Sequence, residues 1–171
     1  VSRCGDKMAW GAFCGYTKDG IPIIIGSKMP SRANTTQGEA LGAIEVMTRI
    51  IHDAETAAKD GQYITALHNI DCKSAWANII DRYIQGDLYG IDNHASPSLY
   101  ERAISLLRRL AALDVTYILC RAPAHVGICV NAWADAGAKA SLGFDTEYEP
   151  DLARSHAIAI LRMTSYPGTL P

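Results

Sequence analysis

The 171 residues contain no Cys-x-x-Cys pair, no internal repeat, no low-complexity stretch and no apolar run near the about 18 residues of a membrane-spanning helix. The five cysteines (Cys4, Cys14, Cys72, Cys120 and Cys129) are odd in number and lack metal-site spacing. That excludes a disulfide framework and a structural zinc site. It fits small, buried, apolar residues in a reducing compartment, and so an intracellular, cytoplasmic or nuclear setting. A basic surplus is also lacking: 16 Lys and Arg stand against 18 Asp and Glu, for a net charge of −2. Gripping nucleic acid by charge alone is thereby excluded, but an acidic centre filled by cations is not. What remains is an ordinary globular composition, 49% hydrophobic and 20% charged, on a chain long enough for one domain with a sizeable core.

Hydrophobic periodicity divides the chain into alternating elements. Met8–Tyr16 reads as a strand, Thr17-Lys18-Asp19-Gly20 as a hairpin turn, and Ile21–Gly26 as the partner strand, with Pro22 at an end or an edge. A third short strand is expected between Ser27 and Thr36. From Gln37 to about residue 58, Leu41, Ile44, Met47 and Ile51 recur at helical spacing, with Asn34, Thr35 or Thr36 as the cap. A buried strand over Tyr63–Ile70 follows, then a helix from Lys73 to about Gln85, a polar loop to Ser98, and an amphipathic helix to Leu113. Val115–Cys120 is the next strand, and Asn131 to about Ser141 the next helix. One more helix is expected near Leu152–Met163. An antiparallel hairpin followed by alternating helices and strands implies an α/β domain, its mixed sheet flanked by helices. The boundaries drawn are 1–143 for the domain and 144–171 for a C-terminal extension. In such sheets, sites form beyond the carboxyl ends of the parallel strands.

Three carboxylates fall where elements begin or end. Glu39 is expected in the first turn of its helix, where an acid is favoured by the macrodipole in any case. Asp71 follows the apolar strand, where a simple helix cap would also explain it. Asp135 lies among Ala132, Ala134, Ala136, Gly137 and Ala138, a face suited to close packing on which an acid is costly unless paired or metal-bound. His125 sits in a loop with Gly127. Hard oxygen ligands converging from separate elements are what a pair of divalent cations requires for phosphodiester hydrolysis.

Together, in this order and on these elements, the residues resemble the ribonuclease H family over about residues 8–141. The resemblance rests on Trp10-Gly11-Ala12-Phe13, on Glu39 and Asp71 at their element boundaries, and above all on His125-Val126-Gly127-Ile128 leading to Asn131 and Asp135. It implies an endonuclease for the RNA strand of RNA/DNA hybrids, leaving 5′-phosphate and 3′-hydroxyl ends, in which Glu39, Asp71 and Asp135 bind metal. His125 would be the mobile histidine assisting proton transfer or product release. Thr35, Thr36 and Asn131 would contact substrate. Two Mg²⁺ ions about 4 Å apart, replaceable by Mn²⁺, would activate water and stabilise the leaving oxygen. The absence of a basic, hybrid-gripping protrusion is shared with retroviral-type domains, which implies a retroelement polyprotein and a fused or associated reverse transcriptase as partner.

One family feature is missing. The aspartate that ends the family's first strand is expected just before Val1, and residues 1–7 read as the loop that follows it. Asp6 is a poor substitute, because residues 1–5 are too short and too polar for a central strand. The chain is therefore expected to be a fragment, inactive or nearly so by itself. Two other readings compete: a resolvase, transposase or exonuclease relative of the same fold, and a degenerate domain kept for structure or protein contacts.

Overall fold

The computed structural model describes residues 1–16, 22–30, 33–85, 97–113, 115–121 and 129–144. It opens on a hairpin. β1 (Ser2–Cys4) runs antiparallel to β2 (Lys7–Tyr16), Ser2 opposite Ala9 and Cys4 opposite Lys7. Gly5, at φ 56°, begins the two-residue turn, where a left-handed backbone is required. Residues 2–4 are thus a strand, where the sequence reads as a loop. Three mostly exposed residues have little strand preference of their own, and the adjacent edge of a ten-residue strand supplies the pairing.

β3 (Pro22–Lys28) pairs with the other side of β2, giving the order β1-β2-β3 with a bulge between Phe13 and Tyr16. Pro22 stands at the strand's first position, where its missing N–H costs least. No separate third strand follows Ser27. β3 runs through Lys28, and the Met29 amide donates back to the Met8 carbonyl at 2.8 Å. The expected turn at Thr17–Gly20 lies outside the described residues.

α1 (Thr35–Lys59) is started by Asn34. Its Oδ1 accepts from the Gln37 amide at 2.8 Å while Gln37 Oε1 accepts from the Asn34 amide at 2.9 Å, a reciprocal capping box. β4 (Ile64–Ile70), α2 (Lys73–Gln85), α3 (Pro97–Ala112) and β5 (Val115–Arg121) follow. β4 and β5 pair in parallel without a break, from Ile64 opposite Val115 to Ile70 opposite Arg121, and the crossover that parallel pairing requires is made by α2 and α3. α4 (Cys129–Ser141) closes the described fold. The α/β class read from the sequence is the class the chain adopts, with antiparallel and parallel strands flanked by helices. Among the described residues, no backbone pairing joins the three-stranded sheet to the two-stranded one. The helix expected near Leu152–Met163 falls outside the described residues, as does most of the loop before Ser98.

The principal core lies between α1, α2, α3 and β4. Ile44, Met47, Ile79, Tyr100 and Leu110 are almost wholly buried in it, each aliphatic among them worth about 1.5–3 kcal/mol. A second cluster, Met8, Trp10, Ala12 and Met29, packs against Leu41 and Val46 of the same α1. α4 crosses the opposite face of β2 and β3, its Trp133 ring edge-on to Phe13 with centroids 5.0 Å apart. Gly11 makes that crossing possible: a Cβ there would lie 2.1 Å from the Ala134 carbonyl oxygen. α1 thus holds both strand groups, and α4 holds the antiparallel one.

Candidate active site

Glu39, Asp71 and Asp135 come from three separate elements and meet around the amino end of β1. α1 begins at Thr35, so Glu39 belongs to its second turn and not, as the sequence reads, to its first. The macrodipole therefore accounts for little of its placement, because that field fades beyond the first turn. Glu39 Oε1 accepts a hydrogen bond from the Val1 ammonium at 3.0 Å, and its side chain is 20% exposed. Burial pushes its pKa above the usual carboxylate range, the Val1 ammonium draws it back, and the nearby charge of Asp71 pushes it up again. That coupling brings Asp71, in the joint between β4 and α2, close to Glu39.

Asp135 lies on α4. Its Oδ1 accepts from Ser2 Oγ at 3.1 Å, and its Oδ2 pairs with Lys139 Nζ, one turn on, at 2.7 Å. Burial pushes its pKa up, but the Lys139 and Ser2 hydrogen bonds and the positive charges of Lys139 and Val1 outweigh this and hold it below the usual range. Asp135 is therefore paired, as an acid among such small neighbours has to be. Its side chain is 39% exposed, while Gly137 and Ala138 take the packing.

Val1 and Ser2, at the amino end of β1, thus tie Glu39 to Asp135. Sequence reasoning missed both, because neither has a motif and their positions depend on β1 pairing with β2. Lys139 carries a readable signal, since a cation four residues after an acid on a helix faces it.

The other named positions divide. Asn131, half-buried on α4, lines the same cavity as Glu39 and Asp71. Thr35 is exposed and Thr36 half-buried at the start of α1, one turn before Glu39. His125 lies outside the described residues. Asp6 is exposed in the hairpin turn, at the far end of β1 from the carboxylates, which keeps it from replacing a ligand there.

The cavity, about 470 Å³, runs between β2 at Gly11–Gly15 and β4 at Ile64–Ile70, floored by Gly42, Ala43 and Val46 of α1. His68 of β4 also borders it. His68 is buried, and its Nδ1 lies 2.7 Å from the Tyr117 hydroxyl on β5.

Among the described residues, no three His, Cys, Asp or Glu side chains stand close enough to hold one metal ion. The donor chemistry fits Mg²⁺ all the same. Mg²⁺ takes one or two protein carboxylates and completes its shell with water and phosphate. Glu39 and Asp135 already bind the cations within reach, the Val1 ammonium and the Lys139 side chain. A half-buried, mutually repelling pair such as Glu39 and Asp71 gains most from a further cation.

No family model matches this chain, and no curated protein matches it. Among solved structures, it is similar to the crystal structure of RNase H1 from the halophilic archaeon Halobacterium salinarum NRC-1. The two share 19% identity over 83% of this chain and 92% of that one, with a TM-score of 0.49.

Proposed function

We propose that the chain is a metal-dependent endonuclease domain cleaving the RNA strand of RNA/DNA hybrids, with Glu39, Asp71 and Asp135 as its metal-binding carboxylates. The observation supporting this most directly is their meeting at one corner of the fold, Glu39 raised by burial and by Asp71, Asp135 tied to Glu39 through Val1 and Ser2. The motif His125-Val126-Gly127-Ile128 with Asn131 and Asp135 supplies the family reading.

Mg²⁺ ions held by the three carboxylates would supply Lewis-acid stabilisation of the charge that develops on the phosphate. The protein's own groups do the rest. Glu39 and Asp71 keep a strongly negative, partly buried corner that draws cations from water. Asn131, facing the same cavity, offers an amide to the nucleic-acid backbone. Thr35 and Thr36 present hydroxyls at a helix amino end, where phosphate is favoured. His125 carries a proton to or from the scissile phosphate. Affinity for the hybrid comes largely from outside the chain, because its net charge is −2. That suits a retroelement polyprotein in which a reverse transcriptase holds the substrate.

The test is cleavage of a labelled RNA/DNA hybrid, against duplex RNA and duplex DNA, with Mg²⁺ or Mn²⁺, by the chain and by a version extended upstream of Val1. Hybrid-only cleavage by the extended version is expected, falling about 100-fold or more in Asp71→Asn, the equivalent of about 3 kcal/mol of transition-state stabilisation. Cleavage of duplex DNA instead would favour a resolvase- or transposase-type nuclease. A second reading is a scaffold without catalysis. Such a scaffold shows no rise in melting temperature with Mg²⁺ or Mn²⁺.

A further inference from the structure

Both oxygens of Asp135 are engaged, but by partners of different kinds. Oδ1 accepts from Ser2 Oγ at 3.1 Å, and Ser2 is held in the β1–β2 ladder opposite Ala9. Oδ2 meets Lys139 Nζ at 2.7 Å, carried by a side chain that is 51% exposed. The strand fixes the first partner. The second can turn into water at little cost, because exposed ion pairs are weak and the four-carbon lysine stem is flexible.

The backbone beneath the pair leaves no other way to adjust. Ala134 and Ala138, which immediately precede Asp135 and Lys139, lie close against Gly11 of β2. A Cβ on Gly11 would sit 2.1 Å from the Ala134 carbonyl oxygen and 2.4 Å from the Ala138 nitrogen. This turn of α4 is thus pinned on the strand, and any change at Asp135 has to be made by side chains. A divalent cation needs a carboxylate oxygen, so at Asp135 it competes with the partner that can leave.

We infer that Lys139 is a built-in placeholder for the cation at Asp135. It holds the carboxylate in position when no metal is bound, and it weakens metal binding because it has to be displaced. The inference rests on Asp135 being a metal-binding residue, as proposed above, and adds the residue that sets the affinity of that site. Lys139 acts only through Asp135 and is a positioning residue. Repulsion between a divalent cation and an ammonium about 5 Å apart in water changes affinity about tenfold, and salt screens it.

The experiment titrates Mn²⁺ and Mg²⁺ into the full chain by calorimetry at low salt, beside Lys139→Gln, Lys139→Arg and Lys59→Gln. Lys59 is exposed in the last turn of α1, about 30 Å along the helix from Glu39, so its loss changes the net charge equally but remotely. Lys139→Gln is expected to bind about tenfold more tightly than the unchanged chain, a gain that shrinks to within about twofold in 1 M KCl. Lys139→Arg should bind no more tightly than the unchanged chain, because a guanidinium keeps its hold on the carboxylate. Lys59→Gln should match the unchanged chain. A pair with only a structural role would instead lower the metal-free melting temperature and leave the affinity unchanged or weaker. Equal or weaker binding by Lys139→Gln would overturn the inference. So would tightening in Lys139→Arg, or an equal gain in Lys59→Gln. Lys139→Met, which keeps the apolar stem, repeats the test should Lys139→Gln fold poorly. Asp71→Asn separates this inference from the nuclease reading. Metal binding lost in Asp71→Asn upholds the site even where Lys139→Gln shows no gain, and the placeholder alone then falls. Binding that appears only in Lys139→Gln counts for the inference, and no binding by any variant sinks both.

Discussion

The two strand groups are held by opposite means. In the antiparallel group, stability comes from backbone brought close to backbone: Gly11 against Ala134 and Ala138, Gly26 against Trp10 and Gly137, with α4 lying almost on the strands. In the parallel group it comes from bulk. Ile79, Tyr100, Leu107 and Leu110 of α2 and α3 fill the space against α1 and β4. The first is spoiled by adding an atom, the second by removing several. The carboxylates are split across this divide: Asp135 on the antiparallel side, Asp71 on the parallel side, Glu39 on the helix both share. The site's geometry therefore depends on how α1 holds two groups that are themselves stabilised differently.

Mutations can probe that contrast in order of size. Ile79→Ala, which empties part of the principal core, is expected to cost about 4 kcal/mol in urea unfolding. Gly11→Ala adds one methyl where there is no room and is expected to cost about 3 kcal/mol, since the obstructing atoms are backbone and cannot rotate away. If Gly11→Ala were neutral, the close-packing account of the antiparallel half would fall.

His68 sharpens the comparison by pH, because it belongs to the parallel half alone. Burial lowers its pKa from 6.5 to about 4, so the folded protein prefers it neutral. The unfolded chain binds the extra proton between those values, so stability is fully present above pH 6.5 and is lost as pH falls through about 4. The loss amounts to up to about 3 kcal/mol. In His68→Gln the stability profile should be flatter by that amount over this window, and an unchanged slope would remove His68 from the account. The smallest effect is at the shared helix: Asn34→Ala removes one arm of the capping box, for about 1 kcal/mol in thermal unfolding.

Much of this was legible in the sequence where apolar spacing governs. The 3.6-residue repeat of Leu41, Ile44, Met47 and Ile51 places α1 almost to its ends, and Lys73–Gln85 is read at its observed bounds, because burial against a core dictates both. β1 was not legible, since its strand character comes from β2. Glu39 was placed a turn too early because three adjacent residues, Asn34, Thr35 and Thr36, all suit a cap, and only the bond to Gln37 selects Asn34. The acids of the site were legible as types at boundaries. Their links through Val1 and Ser2 were not, because a contact between β1 and two helices leaves no periodic trace. The separation of the sheets left none either, since apolar strands read alike whichever strand they pair with.

That separation also bears on handling the protein in solution. Among the described residues, β2 beyond Ala9 and the cavity-facing side of β4 are strand edges that β1 does not reach. They carry no lysine or proline to discourage pairing between molecules, because Gly11–Gly15 and Ile64–Ile70 are small, apolar or uncharged apart from the buried His68. Exposed, uncharged edges template intermolecular sheets. Self-association and precipitation of this chain should therefore rise steeply with concentration. A single lysine at Thr65, exposed on β4, should improve solubility more than the same charge on the outer face of α3.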